Sequence, residues 1–494
     1  MKASKTGRAR KPSPPKRSNA AAATAQPKGA AASVAPPPAS AAEPWPTPRT
    51  AAPAGPRARI RVYRHGLGDC ILIRLRRRDG SDYTIMIDCG VAMAQPNGAD
   101  GMKKVVKDVV ATTGGKVDVL AVTHQHWDHV SGFTQAEDEF KNLSVGEVWV
   151  AWTEDPNDPL AKSLQADHAS AMAVLGRSAQ RMAAAGRPDR ADEILNTLGV
   201  AGASGDKTKV AFDKAKSMGK APPRYWQPDA TQQAPAQQTA PIALGDPDVT
   251  IYALGPPYDA KAIRNTLPSA SDPETYAFKF DGGNAMPPNV LTALTCPDGP
   301  SPPFAHTVTI PMESARGMPF FLENYWGSEG ENWRRIDAEW LGAADQLALA
   351  MQSATNNTSL VLAIELAGGD VLLFAGDAQV GNWESWQART WTVNGRTVTG
   401  PDLLKRAIFY KVGHHGSHNA TLRQHGLEMM SALKTAIIPV DHAVALKMRW
   451  GAMPLDALVT ALDGRTSHRS LRTDVTPAAT DGVEVTDLYY EVTV

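Results

Sequence analysis

Thr123-His124-Gln125-His126-Trp127-Asp128-His129 is the stretch on which the reading of this chain turns. It places four potential metal ligands, His124, His126, Asp128 and His129, within six positions. The residues before it, Val117-Asp118-Val119-Leu120-Ala121-Val122, have the length and β-branched content of a short buried strand. A tight loop leaving a rigid strand can aim His124 and His126 to one side and Asp128 and His129 to the other. Divalent metals accept imidazole nitrogen and carboxylate oxygen at about 2.0–2.2 Å. Two of them about 3.5–4 Å apart can hold a water between them, lower its pKa and stabilise both attacking and leaving oxygens. An isolated histidine is ordinarily structural or merely exposed. Four ligand types in six positions at a strand end are not accounted for that way.

Two later segments supply further ligands. Leu372-Leu373-Phe374-Ala375-Gly376-Asp377 is an apolar strand ending in a carboxylate at the sheet edge, where it could bridge two metals. Ile408-Phe409-Tyr410-Lys411-Val412-Gly413-His414-His415-Gly416-Ser417 is a strand ending in a histidine pair. Alone, the first would be a turn and the second a surface feature. Beside the 124–129 loop, both read as ligands.

Outward from these, the chain alternates strands and helices. Strands are expected at Ile60–Tyr63, Cys70–Leu75, Tyr83–Asp88, Val145–Trp152, Val249–Leu254, Ser359–Leu366, Val371–Phe374, Ala407–Val412, Thr435–Val440 and Leu488–Val494. Helical spacing marks residues 102–112, much of 159–218, Leu422–Leu433 and Pro454–Leu462. Residues 226–241 read as a loop, and two insertions span about 155–245 and 258–353. The second holds Phe320, Phe321, Tyr325, Trp326, Trp333 and Trp340, either an active-site lid or, more simply, a local hydrophobic cluster.

Of 494 residues, 43% are hydrophobic and 21% charged, which is ordinary for a folded protein. The formal net charge is zero but uneven: Met1 to Arg59 carries eleven Lys or Arg against one acid, Glu43. Residues 1–57, rich in Lys, Arg, Pro and Ala, cannot bury enough apolar surface to offset their chain entropy and are expected to be a disordered basic tail. Such a tail either contacts nucleic acid or a membrane surface or simply aids solubility. The rest, residues 58–494, is expected to form one hydrolase domain of net negative charge. Three scattered cysteines exclude a disulfide framework, and neither a transmembrane run nor a secretory h-region is present, so a cytoplasmic location is expected.

The His-x-His-x-Asp-His pattern of His124–His129 resembles the metallo-β-lactamase superfamily. Within it the chain is most similar to the hydrolase domain of ComEC-type DNA-uptake proteins. The similarity is carried by Gly66–Asp69, Ile87–Gly90, Asn356–Leu362, Leu372–Asp377 and His414–Ser417, and by Ala436–Val440 followed by Trp450–Pro454. The resemblance implies an αββα sandwich, with metals at the sheet edges. It also implies that His124 and His126 hold one metal, Asp128 and His129 the other, and that Asp377 bridges them. One of His414 and His415 would complete the second site; His414 is favoured as the first residue able to coordinate after the strand. Asp88 would fix a ligand imidazole by hydrogen bond. Many superfamily members carry another His just before the strand that here begins at Ser359, where this chain has Thr355-Asn356-Asn357-Thr358. The first metal site is then weak, or uses water, or recruits His168 or His306.

The expected activity is metal-dependent hydrolysis of a phosphodiester, in nucleic acid or a nucleotide. Two divalent ions, zinc before manganese or iron, would serve it. Asp128 or His415 would manage protons, and Lys411, Ser417 and His418 would contact phosphate. The acidic body suits a small substrate better than long DNA. An ester, lactone or phosphocholine-type substrate is therefore the second reading, and a metal-bearing scaffold with no activity the third.

Overall fold

Alternating apolar side chains along the strands build two sheets that share a single inner core. β1 (Ala58–Tyr63), β2 (Cys70–Arg76) and β3 (Asp82–Cys89) form an antiparallel meander. β4 (Lys116–Ala121), β5 (Ser144–Ala151), β6 (Arg224–Gln227) and β7 (Gln238–Thr239) then extend the sheet in parallel. The second sheet takes β8 (Ile242–Leu244), β9 (Val249–Gly255), β10 (Val361–Leu366) and β11 (Val371–Phe374). β12 (Thr390–Val393) and β13 (Arg396–Thr399) stand apart as a hairpin. β14 (Ala407–Lys411), β15 (Thr435–Ile438) and β16 (Ser470–Arg472) complete the second sheet in parallel with β11. β18 (Tyr489–Thr493) returns to pair with β1, and β17 (Val483–Val485) pairs with β18 at the edge. The strand orders are β17-β18-β1-β2-β3-β4-β5-β6-β7 and β16-β15-β14-β11-β10-β9-β8.

This computed structural model describes residues 55–184, 191–192, 206–228, 238–239, 241–266, 310, 312–326, 351–448, 450–451, 453–477 and 480–494. All fall in one unit, Pro46–Val494. The basic tail up to residue 54, His306, Trp333, Trp340 and most of 267–350 lie outside the described residues.

Three apolar clusters define the layers. Ile71, Ile73, Ile85, Leu362, Ile364, Leu372, Phe374 and Phe409 meet between the sheets. The outer face of the first sheet buries Leu72 and Met86 under Met102, Val105, Val106 and Val109 of the helix Gly98–Thr113, with Phe212 of the helix Asp206–Lys216. The outer face of the second sheet buries Ala363 and Leu373 under Trp383 and Trp386 of the helix Val380–Trp386, with Leu458 and Leu462 of the helix Asp456–Thr466. Helix, sheet, sheet, helix is the αββα sandwich expected from the sequence. Among the described residues no helix is long and apolar enough to cross a membrane.

Two local expectations are corrected. Leu422–Leu433 is not an α-helix but a series of turns with one 3₁₀ turn, Leu427–Met429. Gly426 there sits so close to the Leu422 carbonyl that a Cβ would lie 2.3 Å from it, a fold-back that a continuous helix does not allow. Residues 226–241, read as a loop, contribute strand residues at both ends. Of the aromatic run, Phe320, Phe321, Tyr325 and Trp326 contact one another in sequence, with Phe320 62% exposed.

Phe374 and Phe409 face each other in the inner core with ring centroids 5.5 Å apart. Phe409→Ala is expected to cost about 3–5 kcal/mol, read as a lowered denaturant midpoint. A loss under about 1 kcal/mol would place this ring outside a close-packed core.

Candidate metal centre

Parallel pairing determines where the candidate ligands gather. β3 runs beside β4 with Ile87 opposite Ala121, and β11 runs beside β14 with Phe374 opposite Lys411. Asp88 on β3, the 123–129 loop after β4, Asp377 after β11 and the His414–His415 pair after β14 therefore emerge at the carboxyl ends of adjacent strands. The two sheets are tied there by the Leu360 N–H, which donates to the Thr123 carbonyl at 2.9 Å. Asp88, His414 and His415 adopt positive φ values of 54°, 40° and 52°. Non-glycine residues reach that region at a cost of roughly 1–3 kcal/mol each, and they do so typically at functional sites. Gly90 closes against the ligand loop: a Cβ on it would lie 2.4–2.5 Å from backbone atoms of Asp128 and His129.

Two groups of potential ligand atoms share Asp377 at this edge, one of Asp128, His129, Asp377 and His415, the other of His124, His126 and Asp377; a third, of Asp69, Asp88 and His129, gathers at His129 Nδ1 behind them. Every member is buried. His124 Nε2 and His126 Nδ1 are 3.0 Å apart, and Asp377 Oδ2 is 4.0 Å from His124 Nε2. The same Asp377 Oδ2 lies 3.2 Å from His129 Nε2 and 4.0 Å from His415 Nε2, while His415 Nε2 is 3.0 Å from Asp128 Oδ2. One carboxylate oxygen thus faces both groups.

The imidazoles are oriented from behind. His129 Nδ1 donates to Asp88 Oδ2 at 2.8 Å, and His415 Nδ1 donates to the Pro439 carbonyl at 2.7 Å. His124 Nδ1 lies 3.0 Å from Thr123 Oγ1, whose hydroxyl donates to Asp88 Oδ2 at 2.7 Å. Three rings therefore have Nδ1 engaged by the protein and Nε2 turned into the centre, the arrangement that fixes tautomer and direction in metal-ligating histidines. Asp88 anchors two of them and also accepts the Thr123 N–H at 2.7 Å.

Charge at the centre calls for cations. Asp69, Asp88, Asp128 and Asp377 are all buried, and the buried ammonium of Lys411 lies against Asp69 and Asp377. Burial drives His124 well below its ordinary pKa, reinforced by His129 and His126, and brings His126 to about 3 despite Asp128 and Asp377. Burial would raise Asp128, but the hydrogen bond from His415 and the charges of His129 and His415 hold it at about 2. Burial would lower His129 as well, yet Asp377, Asp69 and Asp88 carry it well above its ordinary value. His126 Nε2 and Asp128 Oδ1 are buried with no hydrogen-bond partner among the described residues. Mutually facing imidazole nitrogens, orphaned polar atoms and an excess of carboxylates are satisfied together by divalent cations.

The remaining candidates fall into place around this centre. His414 is not in either group. Its Nδ1 pairs with the Ser417 hydroxyl at 2.8 Å, its Nε2 lies 3.3 Å from Asn356 Nδ2, and its backbone N–H donates to Asp377 Oδ1 at 3.1 Å. Ser417 also donates to Asn419 Oδ1 at 3.1 Å, and both are buried. His418 is half-buried beside them. Lys411 does not open toward a substrate. It is 1% exposed and pairs with Asp69, which corrects its expected phosphate contact: the β14 alternation that turns Phe409 inward turns Lys411 inward too. His168 sits on the helix Pro159–Ala184, outside every group of potential ligands among the described residues. Asp69, Asn356 and Ser359 lie in stretches that carry the resemblance but were given no role in the site, and Gln379 was not singled out from sequence. Ser359 Oγ lies 3.3 Å from His124 Nδ1 and accepts the Asp377 N–H at 3.0 Å. Asn356 and Gln379 are fully buried beside His414.

If Gly90 is required by the ligand loop, Gly90→Ala should lower the thermal unfolding midpoint through overpacking of about 1–3 kcal/mol. Gly464→Ala, at a helix position open around its Cα, should be neutral or slightly stabilising. Equal midpoints for the two variants would contradict the close approach.

No curated protein and no solved structure matches the chain. A family match covers the stretch from the end of β1 through Asp88, Gly90 and the whole ligand loop; it speaks to the superfamily and not to the DNA-uptake branch within it. Residues 63–195 match the model of the metallo-beta-lactamase superfamily, and with the clusters of potential ligands this points to a metal-dependent hydrolase.

Proposed function

We propose that the chain is a hydrolase holding two divalent ions, zinc before manganese or iron, and that it cleaves a phosphodiester of nucleic acid or a nucleotide with water. The observation that carries this reading is Asp377 Oδ2, one oxygen common to both groups of ligand atoms. His124, His126 and Asp377 would hold one ion. Asp128, His129, His415 and Asp377 would hold the other. His415 takes the place expected for His414, because its Nε2 and not that of His414 lies within the second group. Bound there, the ions would lower the pKa of a water and neutralise the oxygens of the phosphoryl group.

The chain's own residues set the conditions for that chemistry. Asp88 and Pro439 fix the His129 and His415 rings, so that neither turns on binding. Asp128 Oδ2 and His415 Nε2, 3.0 Å apart, would share the second ion, and Asp128 Oδ1, without a hydrogen-bond partner among the described residues, is the oxygen suited to take a proton from the attacking water. His414, Ser417, Asn356 and Gln379 form a polar wall beside Asp377 suited to position a substrate oxygen. The basic tail adds sequence-independent attraction to nucleic acid.

A small ester or lactone substrate is favoured by one observation. The ammonium nearest the centre, Lys411, is spent on Asp69 and does not meet a second substrate charge.

Elemental analysis together with hydrolysis of bis-p-nitrophenyl phosphate, for the wild type, Asp377→Ala and His168→Ala, tests the proposal. About two metals per chain are expected in the wild type. Asp377→Ala should lose metal and more than about 100-fold in activity, and His168→Ala should change neither. Bound metal with hydrolysis only of p-nitrophenyl acetate or a lactone would move the substrate to the second class. A wild type that takes up no metal would overturn the reading.

A further inference from the structure

Lys411 is a buried titratable group that the proposed chemistry leaves without a task. Its ammonium is in contact with Asp69 Oδ2, donates to the Gly376 carbonyl at 2.9 Å, and lies 3.6 Å from Asp377 Oδ1. Both it and Asp69 are 1% exposed. The Asp69 backbone is woven into the ligand loop: its N–H donates to the Asp128 carbonyl at 3.0 Å, and its carbonyl accepts the Gly90 N–H at 3.0 Å. The Asp69 carboxylate stands behind the second ligand group, with Oδ2 3.8 Å from His129 Nδ1 and Oδ1 4.0 Å from His415 Nδ1. Replacing such a buried pair by apolar groups often costs a protein little stability, so a retained pair calls for another explanation.

Asp377 supplies one. Its two oxygens have different surroundings. Oδ1 accepts the His414 N–H at 3.1 Å and faces Lys411, while Oδ2 is turned toward His124, His129 and His415. An unrestrained carboxylate can rotate and present one oxygen to each of two ions, or both to one. We propose that the Lys411–Asp69 pair is a positioning device: Lys411 and the His414 N–H retain Asp377 Oδ1, so that Oδ2 alone would be offered to both ions. Asp69 in turn holds Lys411 in place and keeps its charge from displacing an ion. Lys411 is a positioning residue here, acting through Asp377. The inference rests on the two-ion reading above.

The test uses the full chain loaded with Mn²⁺, with stoichiometry by elemental analysis and electron paramagnetic resonance as the readout of coupling between ions. The wild type should bind two Mn²⁺ and give the spectrum of an exchange-coupled pair. Lys411→Met/Asp69→Asn removes both charges together. It should fold, as shown by thermal unfolding of the metal-free protein, and should either bind one ion or bind two with lost coupling, the affinity for the second falling about tenfold or more. Lys411→Gln keeps a donor for the Gly376 carbonyl and serves as the second variant, with the same expected result. Two ions bound at wild-type affinity with an unchanged coupled spectrum in either folded variant would overturn the proposal. So would failure of both variants to fold, which would make the pair purely structural. A wild type that binds no ion, or two uncoupled ions at distant sites, would instead remove the two-ion reading itself.

Discussion

Buried negative charge at one edge of the sandwich is the constraint around which the rest is arranged. Asp69, Asp88, Asp128 and Asp377 are withdrawn from water around the His129 and His415 rings, with the ammonium of Lys411 against Asp69 and Asp377. Isolated, each would favour protonation or exposure. Together with imidazoles whose Nε2 atoms converge, they form a concentrated demand for cations. The positive φ at Asp88, His414 and His415 and the contact of Gly90 with the ligand loop are local strains that such a demand explains.

The fold meets this demand with ordinary means. Apolar alternation seals the two sheets face to face, and parallel pairing of β3 with β4 and of β11 with β14 brings four strand ends to a common edge. Four of the six candidate ligands are supported from behind, by three elements. Asp88 on β3 directs His129 and, through Thr123, His124. Pro439 after β15 directs His415, and Ser359 before β10 secures the backbone of Asp377. Because the supports come from both sheets, the geometry of the centre depends on the sandwich being closed.

Much of this could be read from the sequence, for reasons that are physical. The 124–129 loop, the strand ending in Asp377 and the layered architecture follow from ligand density and strand periodicity, which are local properties. His414 and His415 could not be separated in that way. Two successive left-handed residues break the strand's alternation, so neither neighbour's direction can be counted from β14. Lys411 was legible in principle, since it shares the inward parity of Phe409, but a lysine beside a histidine pair reads more readily as a phosphate ligand. Asp69 was hidden within a turn of glycines, and its partner is 342 positions away. Leu422–Leu433 misled because its apolar spacing is helical while Gly426 folds the backbone onto Leu422.

In the proposed centre Asp377 Oδ2 joins two ion sites, with His415 in the second. Anomalous diffraction from crystals grown with Zn²⁺ measures this directly. Two ions about 3.5–4 Å apart are expected, with Asp377 between them, His415 Nε2 on one of them and His414 on neither. A single ion, two ions without a shared Asp377 oxygen, or coordination by His414 in place of His415 would contradict it.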